Sequence, residues 1–437
     1  MKKTLISLAV ASAISTSLFA DAETDALKAQ LKILMQRLDA LESKNRGYEE
    51  RTADLEAESK ANNEKTDSIV QEMADSKVLD SFGNYNGESY VGMAPGASKV
   101  YTNKNKLSIG GYGKVDYVNY RDGTNTDTSD SYRAVLYFGY RFTDNMILNS
   151  EIEFEHGGSE TEIEMLALDF LVNEYVNFRV GTYVLPIGLV NVNHEPTLFN
   201  PVNRPNTERD IIPSTWFENG GMVYGSVLDE TISYKTGIVS GFNASKGNGT
   251  LRKMRSNGIT SAAEDAGYYL RLDYTPSEYF NIAGSYYYGD AGQDQTSLNK
   301  VDINLWEVHA TAKFAGFEAN ALYAKHEIGD AQAVSKFHAQ DATKKAFGYY
   351  ANLNYTYNDW IPFIQYEVSN AFDEGYRATG VKTNYADKKD ITFGVNWKPH
   401  PQVVLKADYI VGKQDDGTNT GKDENNDRFE LGMGFVF

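Results

Sequence analysis

From Lys106 to the C-terminus, apolar and polar residues alternate with a period of two. Tyr132, Ala134, Leu136, Phe138, Tyr140 and Phe142 share one face of a segment, opposite Arg133 and Arg141. Leu148, Ile152 and Phe154 lie opposite Glu151, Glu153 and Glu155, and Val176, Phe178, Val180 and Val184 lie opposite Arg179. The same pattern recurs over 268–274, 306–314, 391–397 and 403–409, and blurs over 161–172 and 216–228. Successive side chains of a strand point to opposite faces, so each segment predicts a strand with one apolar and one polar face. Short turns, such as 143–145, 228–230, 315–317 and 358–359, alternate with longer polar stretches such as 186–215, 244–266 and 369–387. Only the connection at 157–160 departs from this by being short. The segments between these connections number sixteen, an even count. The last one places Phe429, Leu431, Met433, Phe435 and Phe437 on a single face.

A soluble sandwich would leave the alternating loop lengths unexplained. A closed barrel in lipid accounts for them, with short turns on the periplasmic side and long loops outside. Closure pairs every backbone group, so no strand edge meets hydrocarbon. Apolar faces then point to lipid and polar faces to a wet lumen, and tilted strands of about 9–11 residues are long enough to span. Eight strands are filled by side chains, whereas sixteen leave an aqueous channel. The expectation is a 16-stranded antiparallel outer-membrane β-barrel over 106–437, closed by pairing of its last strand with its first, near Leu107 to Tyr117.

The N-terminal quarter follows another pattern. Lys2 and Lys3 precede an apolar run from Leu5 to Phe19, and small residues follow, as in a secretory signal peptide over 1–20 cut after Ala20 or Ala22. Leu27, Leu31, Leu34, Leu38 and Leu41 then recur at 4-3-4-3 spacing among Lys, Gln, Glu and Arg. Such a seam predicts an α-helical coiled coil, assigned to 21–75 and, after export, to the periplasm. Residues 76–105, rich in Gly, Asn and Ser, read as a linker. Despite export there is no cysteine, so the fold cannot be held by disulfides. Removing residues 1–20 takes away two lysines and moves the net charge from −18 to −20, which excludes nucleic acid as the main partner.

The stretches LSIGGYGKVDY, ILNSEIEFEHGG and NFRVGTYVLPIGLVNVNHEPTLFNPVNRPNTERDIIPSTW, within residues 106–245, resemble the phosphate- and polyphosphate-selective porins of Gram-negative outer membranes. The resemblance implies homotrimers of sixteen-stranded barrels, each with a loop folded into the lumen. It also implies small hydrophilic solutes or anions as cargo. A terminal aromatic strand, here with Phe435 and Phe437, resembles the signal read by the barrel assembly machinery.

Five of the ten prolines fall between Pro186 and Pro213, together with Leu189, Val190, Leu198, Phe199, Ile211 and Ile212. A loop this long and apolar needs a surface to pack on, and the inner wall of the barrel supplies one. Arg204 and Arg209 on this loop, with Arg133, Arg141 and Arg179 on the wall, would form a basic side facing Glu151, Glu153 and Glu155. Opposed charge rows either set up a transverse field that sorts permeating ions or act as an electrostatic brace that holds the wall and loop in place. Charges on lumen faces are nearly balanced, with nine basic against ten acidic residues and no lysine cluster, so a weak anion preference is expected. Neither a catalytic set nor a cofactor motif stands out. His194 lacks the second histidine of H-E-x-x-H, and no spacing suggests a metal. An alternative role is a structural anchor that tethers the outer membrane to the cell wall through the coiled coil.

Overall fold

The computed structural model describes residues 22–75, 85–90, 92–103, 105–121, 125–247, 249–383, 385, 387–415 and 423–437. The expected signal peptide, residues 1–20, lies outside them. The chain divides into two compact units, one ending at Val78 and the other beginning at Leu79.

Sixteen antiparallel wall strands close into a barrel, as the alternation predicts. The first five are β1 (Leu107–Tyr120), β2 (Thr128–Thr143), β3 (Met146–Glu155), β4 (Glu160–Leu171) and β5 (Asn177–Val184). Two further short ladders, Lys382–Thr383 and Asp423–Asn425, extend pairings within the long connections. The ring closes where the last strand, Arg428–Val436, pairs with β1, setting Lys114 beside Gly434 and Tyr120 beside Arg428. Beyond that strand the backbone of Phe437 still exchanges two hydrogen bonds with Gly111, at 2.8 and 3.1 Å.

The outward faces stay exposed in the single chain because their medium is lipid. Tyr268, Leu270, Leu272 and Tyr274 project outward from one strand, and Leu431, Met433 and Phe437 from the end of the chain. Trp360 and Trp397 stack at 5.6 Å beside the short turns, the interfacial position that tryptophan favours.

The inside is not uniformly wet. Residues 185–216 fold back into the lumen, and their neck packs on an internal apolar cluster. There Trp216 stacks on Phe242 at 4.6 Å and meets the edge of Tyr287 at 5.0 Å. Trp216, Phe217 and Glu218 are therefore all buried, which is why the pattern blurs at 216–228. The blur at 161–172 has a different cause. Between Glu151–Met165 and Ile152–Ile163 the register slips by one, and Glu164 is the extra residue of this β-bulge. The bulge turns Glu164 as well as Met165 away from lipid, and both are buried.

The expected linker contains a helix. Pro95–Thr102 form a short helix, α2, inside the barrel, with Pro95 to Val100 buried. The small residues that read as linker are what let its backbone approach the wall. At Gly139 an added Cβ would lie 2.5 Å from Val100 Cβ, so only glycine admits this helix there. In the other unit, Ala22–Asp75 form one helix, α1, of 54 residues, about 80 Å long at 1.5 Å per residue. Leu27, Leu31, Leu34, Leu38 and Leu41 are all exposed on it.

Gly111 tests the closure. A side chain there would meet Val135 O at 2.2 Å and the Phe437 ring at 3.0 Å, across both seams of β1. Gly111→Val is expected to reduce severalfold the SDS-resistant, heat-modifiable band of the folded barrel. Val115→Ala, on the same outward face, should leave that band nearly unchanged. Equal bands for both variants would show that the seam is not built this way.

Candidate functional site

The constriction is built from residues 185–216, whose neck is pinched by Asn191. Its side-chain amide donates to Leu185 O at 2.8 Å and Trp216 O at 3.1 Å, and its oxygen accepts from Trp216 N at 2.8 Å. Further along, Glu208 accepts from Leu189 N and Val190 N, both at 3.0 Å, and from the Tyr350 hydroxyl at 3.1 Å. Burial pushes the Glu208 carboxyl up to about 7, even though the Val190 and Leu189 amides pull it down.

Beyond the neck, wall carboxylates receive the loop. Asp408 accepts from Val202 N at 2.7 Å, Glu430 from the Asn203 amide at 3.0 Å, and Glu367 from Thr207 N at 2.6 Å. Asn206 bridges Glu367 and Asp390 at 3.1 and 3.0 Å. In the opposite sense, Lys406 donates to Phe199 O at 2.6 Å and Pro201 O at 3.0 Å. These inward acids therefore bind loop backbone and amides, and are not left to face solute.

The loop carries its cations on another side. A cavity of about 280 Å³ is lined by Lys114, Arg133, Arg204, Arg209 and Arg252, against Asp116 and Asp130. Arg209 is half exposed and paired with Asp210 at 2.8 Å, and Arg204 donates to Thr215 Oγ1 at 2.9 Å. Arg252 and Arg255 come from the next long connection and grip this loop, Arg252 at Arg209 O (2.9 Å) and Arg255 at Pro213 O (2.8 Å). Burial lowers the Arg252 guanidinium, and Arg204 lowers it further. Burial and Arg252 together push Arg255 down to about 9. Sequence reading missed Arg252 and Arg255, although the basic run LRKMR was the available signal.

The wall residues fall into two groups. Arg133 meets Glu153 at 2.7 Å and Glu155 at 2.8 Å, with Glu164 at 3.8 Å. Glu151 accepts from the Tyr112 hydroxyl at 3.1 Å and lies 3.6 Å from His194. Burial disfavours the imidazolium of His194, but the Glu151 and Glu164 carboxylates that face the ring outweigh it and raise it to about 8. Arg141 and Arg179 stand apart from the loop and hold α2 instead. Arg141 donates to Val100 O and Tyr101 O, both at 2.7 Å. Arg179 pairs with Asp169 at 2.7 Å, and Asp169 receives the Tyr101 hydroxyl. The structure thus brings Arg141 and Arg179 to α2, and Arg133 to the carboxylate row. Arg133, Glu151 and Glu153 are likewise buried, and only Glu155 keeps a partly open side chain in this row.

Residues 225–437 match the family described as "Putative beta-barrel porin-2, OmpL-like". A protein of Aquifex aeolicus, described as uncharacterized, is 33% identical over 352 residues, covering 74% of this chain and 79% of its own length. The chain belongs to a β-barrel porin family. Solved porins share the fold at low identity. The outer membrane channel DcaP of Acinetobacter baumannii superposes with a TM-score of 0.53 at 12% identity, covering 76% of this chain and 97% of its own. Salmonella typhi OmpF, in complex with daunomycin, gives 0.51 at 14%, with 76% and 98% covered. The trimer form of Vibrio cholerae OmpT gives 0.50 at 12%, with 76% and 99% covered. Family and fold place this porin in the outer membrane as a channel.

Removing one partner of a buried ion pair leaves an uncompensated charge, at a cost of about 3–5 kcal/mol. Arg179→Met should therefore lower the melting temperature of this porin and open the chain near Tyr101 to protease. Arg179→Met with Asp169→Leu should recover much of the loss. An unchanged melting temperature in the single variant would show that the pair does not hold α2.

Proposed function

We propose that this porin is a general diffusion channel for small hydrophilic solutes and ions, with a weak anion preference. The observation that carries the reading is the crowding of Arg204, Arg209 and Arg252 around one cavity in the lumen. Phe199 lines this cavity and also one of about 470 Å³ that reaches Lys313, Glu318 and Lys398 beside the short turns. The path we infer runs past Phe199 from one to the other. Distant surface charge is screened beyond roughly 8–10 Å in physiological salt, so the acidic loops matter less to a permeating ion than these arginines. Arginine stays charged and can grip a carboxylate or phosphate with paired donors. The wall acids Glu367, Asp390, Asp408 and Glu430 are occupied by the loop, which leaves the basic side less opposed than formal counts suggest. Among the described residues, Lys114 is the one lysine that lines this cavity with the arginines, which argues against a dedicated phosphate site.

The remaining features fit an exported trimer. Residues 1–20 direct secretion, Phe435 and Phe437 engage the barrel assembly machinery, and three barrels associate in the membrane. The exposed leucine seam of α1 then finds its partners in the same helix of the neighbouring subunits, as a periplasmic coiled coil. Because that helix is long and polar, contact with the cell wall is a second role it would support, with the barrel as anchor.

Reversal potentials across a planar bilayer in a salt gradient test the reading. Arg209→Glu and Arg252→Glu should each move the potential toward cations, while Lys413→Glu should barely move it. A barrel lacking residues 22–75 should conduct as the whole protein does. A wild-type pore that is clearly cation-selective, or one indifferent to both arginine variants, would contradict the anion preference. Loss of conductance with the helix would favour the anchor.

A further inference from the structure

Beside the constriction, β3, β4 and the loop bring together three side chains that are far apart in sequence. Glu151, Glu164 and His194 are buried to 2, 1 and 4% exposure. His194 Nε2 lies 3.6 Å from Glu151 Oε1 and 3.4 Å from Glu164 Oε2. Neither oxygen of Glu164 takes a hydrogen bond from any described residue, and neither does His194 Nε2. A buried carboxylate with both oxygens bare is costly unless a cation faces it. The neighbourhood sharpens the demand. Glu153 and Glu195 are also buried here, and the guanidinium of Arg133 is shared among these acids, 2.7 and 2.8 Å from Glu153 and Glu155 but 3.8 Å from Glu164, beyond hydrogen-bond reach.

The ring is also oriented for coordination. Its Nδ1 lies 2.5 Å from Asn191 O, so a proton on Nδ1 turns the Nε2 lone pair toward both carboxylates. A backbone carbonyl fixing the tautomer in this way is the usual outer support of a histidine ligand. Ligands about 2.0–2.2 Å from a tetrahedral ion lie roughly 3.3–3.5 Å from one another, close to the two gaps measured here. We propose that Glu151, Glu164 and His194 form a divalent-metal site that clips the constriction loop to the wall. One imidazole with two carboxylates suits a borderline ion of the zinc class over calcium or magnesium, which prefer all-oxygen shells. Spacing along the chain does not announce such a site, because the bulge at Glu164 and the inward fold of the loop create it. The inference is independent of the pore's ion preference.

Untagged full-length protein in detergent, stripped with chelator, would be titrated with Co2+ as a spectroscopic probe and with Zn2+ by elemental analysis. One ion per chain is expected, with visible absorption from Co2+ that Zn2+ abolishes. Glu164→Gln and His194→Gln should each weaken binding at least about tenfold. The near-isosteric Glu164→Gln carries the test should His194→Gln lose its heat-modifiable band. A second group, Glu155, His156 and Glu160, lies at the rim, so His156→Ala must leave binding unchanged. Binding that disappears with His156→Ala and survives Glu164→Gln would overturn the proposal. So would a wild-type chain that takes up no ion, in which case a proton on His194 bridges the two carboxylates.

Discussion

A long loop inside a barrel brings backbone amides and carbonyls into a space where they need partners. An unpaired buried polar group costs about 1–3 kcal/mol, so a loop this size stays inside only if the wall answers it. Here the answer is a set of inward carboxylates on the far wall. Glu367, Asp408 and Glu430 take loop N–H and amide groups, and Lys406 takes two loop carbonyls. The arginines of the loop are left on the other side, facing the cavity they line. Anchoring and electrostatics are thus one arrangement, in which the acids that hold the loop are removed from the solute's view.

The same logic governs α2. Its last carbonyls, at Val100 and Tyr101, receive Arg141, and Tyr101 joins Asp169 and Arg179 in a closed ion-pair network. At its other end the Gly96 amide donates to Glu195 at 2.9 Å, joining helix to loop. The lumen is therefore narrowed from two sides by segments that touch each other. The charged residues of the wall act chiefly as fasteners for them.

Sequence patterning was enough for the wall. Period-two alternation depends on nearest neighbours along the chain, and residues such as Leu270, Trp306 and Leu431 face outward as the pattern implies. What it could not convey was who meets whom across the lumen. Arg141 and Arg179 are inward in both readings, but only the fold shows α2 lying over them. Glu164 was hidden because a bulge breaks the period that would have placed it. Arg252 escaped because it acts from a different loop, at a backbone carbonyl that no sequence pattern marks. Small residues around Gly96 read equally as a linker or as a helix pressed against a wall, and the wall decided it.

Residues 185–216 lie inside the barrel against the far wall, and the absence of native cysteine allows their position to be measured directly. A side chain at Gly432 would approach Val202 Cγ1 to 3.0 Å, close enough for a disulfide between substituted cysteines. Val202→Cys with Gly432→Cys, folded in the membrane and oxidised, should migrate differently with and without reductant while the pore still conducts. If both thiols instead stay free and react with a membrane-impermeant maleimide, the loop does not lie on that wall, and the account of the constriction fails.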